Sequence, residues 1–378
     1  MLSAYDRLRP LLRPELAELS AYVPHVPPGV TVKLDANEAP RADSPAVRDA
    51  VRCAMESVQL ERYPDPRALR LKAALAMRTG ARESDLLVGA GSDELIALVV
   101  NAFARPRDEA THAVVLSPTP TFVMYAVTSR VHGLESAQVP LDASWDLDVS
   151  SMHRAIMQKK PNIVFLASPN NPTGNRMSGD RLEQIVRACA DGASPAFTII
   201  DEAYVDYAST NGKSASLRGI RTQHDHVGFL RTLSKIGLAA LRIGWLEADA
   251  GLVTEIDKTR QPYNLSAISQ AVAAAVLESH EAWGEIMGEV TRVIRVRESL
   301  AAAIGSLDGF FVMPSAANFL WVKTPRSAQG VVSHLLEDGI LVRSFHALGG
   351  RLTSQLRITI GTEAESERLM ASLRRLYR

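Results

Sequence analysis

TLSKIGLAALRIGW, residues 232–245, sets one lysine among small and apolar neighbours, with an arginine seven positions later. Desolvation disfavours an ammonium, so Lys235 in such surroundings is a candidate reactive amine. The alternative is a lysine whose stem lies on apolar surface while its charge snorkels to water. The flanking sequence decides which fold carries it. HVGFLR runs into Thr232 from upstream, and LRIGWLEA follows downstream. Further upstream LLVGAG, HAVVLSP, NIVFLASP and FTIIDEAY are short apolar runs separated by longer stretches of helical pattern. Strands alternating with helices predict a mostly parallel, covered sheet from about 85 to 250. A polar or glycine-bearing motif follows each run directly. Open α/β sheets bind ligands at the carboxyl ends of their strands, so the chemistry is expected along one edge.

Outside this stretch the pattern changes. Residues 1–35 are rich in proline and charge and read as an arm or peripheral helix. Beyond about 262 the chain turns strongly helical, with Ile286, Val290, Val293, Val296, Leu300 and Ile304 spaced as one buried face. FFVMPSAANFLWVK, a helix over 327–338, ILVRSF and QLRITIG then predict a smaller α+β domain with an antiparallel sheet, and Gly349-Gly350 marks a loop between its last strands. The expected division is an arm over 1–35, a large domain over 36–262 and a small one over 263–378. A chain of 378 residues is long enough for two cores.

Composition excludes several classes. Lys+Arg and Asp+Glu balance at 42 each, which calls for neither nucleic acid nor an anionic membrane as partner. Cys53 and Cys189 have no metal or redox spacing and are expected to stay reduced in a cytoplasmic protein. The histidines do not cluster, and QHDH (residues 223–226) reads as a solvated loop; no metal site is expected. The N-terminus lacks the apolar core of a signal peptide, and no apolar run nears the roughly 20 residues that span a bilayer.

Three motifs join Lys235. In VGAGSDELI (88–96) two glycines precede a helix start, with Ser92 as N-cap. Backbone N–H groups there form a cradle for one phosphate, and Asp93 and Glu94 would have to point away from it. A plain tight turn explains the residues equally well, and Glu94 stands where a dinucleotide fingerprint needs a third glycine. SPNNPTG (168–174) is a rigid turn that can present Asn171 into the crevice. DEAYVDY (201–207) puts Asp201 at a strand end, where it either caps the next element or meets a cation, with Tyr204 within reach. A lysine amine, a partnered carboxylate and a phosphate cradle, with Thr232, Ser234 and Arg242 nearby, meet the needs of pyridoxal phosphate.

With KLDANEAP, ERYPDP, PTFVMY, SAANFLWVK and LRITIGT added in order, the chain resembles the fold-type I pyridoxal-phosphate aminotransferases over nearly its full length. It looks most like their histidinol-phosphate aminotransferase branch. That resemblance implies a catalytic Lys235, Asp201 on the pyridine nitrogen, and Asn171 and Tyr204 on the ring hydroxyl. It implies Phe122 stacked on the ring, and Gly91, Ser92, Ser234, Arg242 and Thr232 on the phosphate. Tyr63 would reach the neighbouring subunit of a homodimer. Arg357 and Arg343 would grip substrate anions, and Tyr22 and Asn37 would line the entrance. The implied reaction moves an amino group between L-histidinol phosphate and 2-oxoglutarate. Threonine-phosphate decarboxylases and aromatic aminotransferases share the fold, and a cofactor-sensing regulator would need a DNA-binding module ahead of it. Three departures stand out: Phe122 where tyrosine is common, Ala39 in NEAP for an asparagine, and a Lys235–Arg242 spacing of seven where many relatives have eight.

Overall fold

The computed structural model describes residues 3–19, 21, 26–190, 195–209 and 214–376. Its first strand, β1 (Val32–Leu34), belongs to a smaller sheet. The larger sheet holds β2 (Leu86–Ala90), β3 (Val114–Thr119), β4 (Glu135–Pro140), β5 (Ile163–Ala167), β6 (Phe197–Asp201), β7 (Val227–Thr232) and β8 (Ile243–Glu247), in spatial order β2-β8-β7-β6-β5-β3-β4. β8 runs antiparallel to both neighbours and every other pair is parallel. The alternation of apolar runs and helical stretches produces this layer because β5, β6 and β8 are buried along their whole length. β4 had no apolar run to announce it: it lies at the sheet edge with mostly exposed or half-buried residues.

The helices are α1 (Ala4–Leu8), α2 (Pro45–Glu56), α3 (Leu69–Thr79), α4 (Ser92–Ala102), α5 (Met124–Val131), α6 (Val149–Lys159), α7 (Gly179–Ala190), α8 (Ala250–Asp257), α9 (Ala267–Glu278), α10 (His280–Gly305), α11 (Ala328–Glu337) and α12 (Glu363–Leu376). Many begin where a short polar side chain satisfies an orphan N–H. Ser44 accepts from Val47 with Pro45 in the first turn, Asp148 from Ser151, Ser266 from Ser269 and Ser279 from Ala282. α10 buries Ile286, Val290, Val293, Val296, Leu300 and Ile304, as their spacing predicts.

β1, β9 (Phe311–Met313), β10 (Phe319–Lys323), β11 (Ile340–Ser344) and β12 (Gln355–Thr359) form the smaller sheet, in order β1-β11-β12-β10-β9. It is not purely antiparallel, because β1 pairs in parallel with β11. The segment read as a peripheral arm thus ends as a strand of this sheet, with Val32 and Leu34 buried. Arg351 ties the two sheets' surroundings together. Its guanidinium donates to the carbonyls of Leu141, Asp142 and Ala143 and lies 3.5 Å from the Trp145 ring centroid. Away from the site, at the amino ends of the parallel strands, buried Glu247 accepts from Arg218 (2.6 Å) and Arg221 (2.8 Å), which satisfies its charge. The QHDH histidines are not fully solvated: His226 Nε2 donates to the Val186 carbonyl (3.0 Å), and burial lowers its pKa. Among the described residues no helix is long and apolar enough to cross a membrane.

Candidate active site

The carboxyl ends of β2, β5, β6 and β7 converge, and the antiparallel β8 is the reason for the central loop. β7 ends at Thr232 and the chain returns as β8 from Ile243, so residues 233–242 form a connection between adjacent strands. Leu233 N–H and the Thr232 hydroxyl both donate to the Ile243 carbonyl (3.0 Å each) and close its neck. Lys235 lies on this loop, half-buried, with its Nζ 5.8 Å from the Tyr204 ring centroid. The Tyr207 hydroxyl donates to the Lys235 carbonyl (2.5 Å) and anchors the loop from below.

The phosphate cradle is built from three strand ends. Gly91, at φ +82°, is the N-cap of α4, so the helix begins one residue earlier than a Ser92 cap would place it. A Cβ on Gly91 would lie 2.6 Å from Arg242 Nη2, and a Cβ on Gly244 would lie 2.7 Å from the Gly91 carbonyl carbon and the Ser92 nitrogen. Only glycines allow this approach. The Thr232 and Ser234 hydroxyl oxygens lie 2.9 Å apart, and Arg242 Nη1 reaches Ser234 Oγ at 3.5 Å. Despite the seven-residue spacing, Arg242 turns back into the cradle by taking φ +53°. Of the two acids, Glu94 folds onto the Ala90 N–H and the Asn264 amide. Asp93 does not turn away: its Oδ2 pairs with Arg242 Nη2 at 3.3 Å.

Asp201 ends β6 and is 4% exposed. The Tyr125 hydroxyl donates to its Oδ2 (2.6 Å) and the Ala203 N–H to its Oδ1 (2.9 Å). Burial raises its carboxyl above the ordinary value, only partly offset by these two donors. Tyr125 was not singled out by sequence reasoning. It is held in place by stacking on Phe165 (4.5 Å) and by an edge contact with Phe122 (5.6 Å), three residues earlier and just ahead of α5. That three-residue spacing in PTFVMY was the available signal.

Arg357 on β12 donates to Asn171 Oδ1 (2.8 Å) and to the Asp35 carbonyl. Arg343 is its cross-strand partner on β11 and is exposed. Asn37 is buried rather than lining an open entrance: its Nδ2 donates to Tyr204 Oη (2.9 Å). Tyr63 stands apart from these groups, 80% exposed and stacked on Tyr263 at 4.6 Å. Tyr22 lies outside the described residues. Glu202, beside Asp201, is a buried carboxylate whose partners are structural: it accepts from the Ser216 hydroxyl (2.7 Å) and the Leu217 N–H (2.6 Å).

These residues fit pyridoxal phosphate. The cradle lined by Gly91, Ser92, Ser234 and Arg242 suits one phosphate, and among the described residues the buried carboxylate of Asp201 has no cationic hydrogen-bond partner, which a pyridinium would provide.

A family model described as "Aminotransferase class I and II" matches residues 30–373. The chain belongs to that family. The chain is 37% identical over 372 residues to histidinol-phosphate aminotransferase 2 of Nitrosococcus oceani, covering 98% of each. It is 34% identical to the histidinol-phosphate aminotransferase of Chromobacterium violaceum, covering 97% of this chain and 98% of that one. Among solved structures, the histidinol-phosphate aminotransferase of Sinorhizobium meliloti in complex with pyridoxal 5'-phosphate superposes with a TM-score of 0.81 at 25% identity, over 97% of this chain and 98% of that one. An L-threonine-O-3-phosphate decarboxylase from Porphyromonas gingivalis superposes at 0.73 with 20% identity, over 91% and 99%, a likeness of fold alone.

Proposed function

We propose that this aminotransferase moves an amino group between L-histidinol phosphate and 2-oxoglutarate, in the cytoplasm, as a homodimer with shared sites. Near-full-length identity of 34–37% to histidinol-phosphate aminotransferases carries the substrate assignment. Pyridoxal phosphate, when bound, supplies a carbonyl that condenses with amines and a ring that accepts electrons. Lys235 Nζ would hold the cofactor and would move the proton at the substrate carbon. Asp201 holds the ring nitrogen's proton. Asn171 and Tyr204 bind the ring oxygen, and Phe122 covers a ring face. Gly91, Ser92, Thr232, Ser234 and Arg242 bind the phosphate, joined by Tyr63 from the other subunit. Arg357 and Arg343, facing across β11 and β12, bind the substrate phosphate and the dicarboxylate in turn, because a guanidinium fork suits both oxyanions. Asn37 and Tyr22 are assigned to the substrate, as the resemblance implies. Lys235→Ala is expected to abolish turnover of L-histidinol phosphate with 2-oxoglutarate while the chain stays folded. Near-normal transamination by that variant would remove Lys235 from the mechanism.

A further inference from the structure

We propose that Thr359, acting through Asn37, sets the direction in which Tyr204 donates its hydroxyl proton, an inference that rests on the aminotransferase function proposed for this site. Asn37 is 1% exposed and sits at φ +55°, a left-handed conformation that asparagine tolerates better than most residues. Its N–H donates to Thr359 Oγ1 (2.9 Å), and Asn318 Nδ2 donates to its carbonyl (3.0 Å). A threonine hydroxyl has one proton. With a lone pair already taken by the Asn37 N–H, Thr359 gives that proton to Asn37 Oδ1 (3.1 Å). The amide therefore turns its nitrogen toward Tyr204, where Nδ2 donates to Oη at 2.9 Å.

An oxygen approached by a donor does not return its own proton along the same line. The Tyr204 proton is directed away from Asn37 and into the strand-end crevice. With the amide turned the other way, the proton of Thr359, which is 2% exposed, would lose Oδ1 as acceptor, and Tyr204 would donate to Asn37 instead. Among the described residues, charged groups near the phenol include Lys235, 5.8 Å from its ring centroid, Arg357, 5.6 Å from the Phe319 ring that meets Tyr204 edge-on, and Asp201, which acts with Tyr204 on Tyr125.

Residues 357 and 359 are two apart on β12 and so share a face. Arg357 holds Asn171 directly, and Thr359 holds Tyr204 through Asn37. One strand of the smaller sheet thus grips both side chains assigned to the ring oxygen. Thr359 is a positioning residue, since it touches neither cofactor nor substrate.

The test compares Thr359→Val with Thr359→Ser. Two quantities are read: the dissociation constant of pyridoxal phosphate by fluorescence, and the pH midpoint of the absorption band of the lysine-bound cofactor. Valine removes the proton that orients the amide. It is expected to weaken cofactor binding about tenfold, or about 1.4 kcal/mol, and to shift the band midpoint. Serine keeps the hydroxyl and should restore both. In a Tyr204→Phe background the valine change should add nothing. If the valine variant does not fold, Asn37→Asp replaces it, because a carboxylate cannot donate to Oη. Valine and serine behaving alike, or an undiminished valine effect without the phenol, would overturn the proposal. A wild-type chain that forms no such band at all would instead overturn the function on which it rests.

Discussion

At the scale of single residues, burial disfavours the ionised forms of Asp201 and of Tyr125 beside it. Asp201 is the case that stability can report. Its folded-state pKa lies above the unfolded value because burial outweighs the Tyr125 and Ala203 hydrogen bonds. The folded chain then holds a proton that the unfolded chain has released, so stability is greatest below the unfolded pKa and declines as pH rises toward the folded one. In the cofactor-free protein, Asp201→Asn removes that loss. The melting temperature of the variant relative to wild type is expected to climb as pH rises through this window, while its affinity for pyridoxal phosphate drops. A difference that does not change with pH would show that Asp201 carries no such strain. The strand-end positions of Lys235 and Asp201 were legible because each follows an apolar run that had to be a strand. Tyr125 and Thr359 were not, since their partners lie 76 and 322 residues away in the chain, and no local pattern encodes such contacts.

At the scale of elements, close approach of backbones shapes the cradle more than any side chain. β8 starts beside the first turn of α4, and Gly244 faces Gly91 and Ser92 with no room for a methyl group. Gly244→Ala is expected to push α4 away, at a cost of about 1–3 kcal/mol of stability. It should weaken binding of pyridoxal phosphate far more than binding of phosphate-free pyridoxal, measured by fluorescence titration with each. Equal losses for the two would place the damage outside the cradle. The glycines before α4 were readable as a cradle or as a turn, and sequence alone left the choice open. What settles the local geometry is β8, whose antiparallel direction the alternating pattern of runs and helices did not announce. The parallel pairing of β1 with β11 was hidden for a similar reason: a three-residue strand carries too little periodicity to signal its partner.

At the scale of the whole molecule, the two sheets meet at the site, and two arginines hold the seam. Arg297 of α10 donates to the carbonyls of Tyr207 (3.2 Å) and Ala317 (2.9 Å), linking the loop below Lys235 to the smaller sheet's approach to β10. Arg351 makes the second clasp at residues 141–143. Tyr63, exposed and stacked on Tyr263, is assigned to the neighbouring subunit's site in the proposed homodimer. Mixing inactive Lys235→Ala chains with Tyr63→Ala chains should then restore turnover, because a mixed dimer contains one site with both residues intact. Activity no greater than the sum of the separate variants would contradict a shared site. The amine-transfer chemistry itself is tested most directly by one single-turnover measurement. The pyridoxal-phosphate-loaded protein is mixed with L-histidinol phosphate in the absence of any 2-oxo acid, and the cofactor's absorption is followed. Loss of the lysine-bound band with formation of pyridoxamine phosphate is the predicted result. A lysine-bound band that persists, or one that is lost without formation of pyridoxamine phosphate, would contradict the assignment.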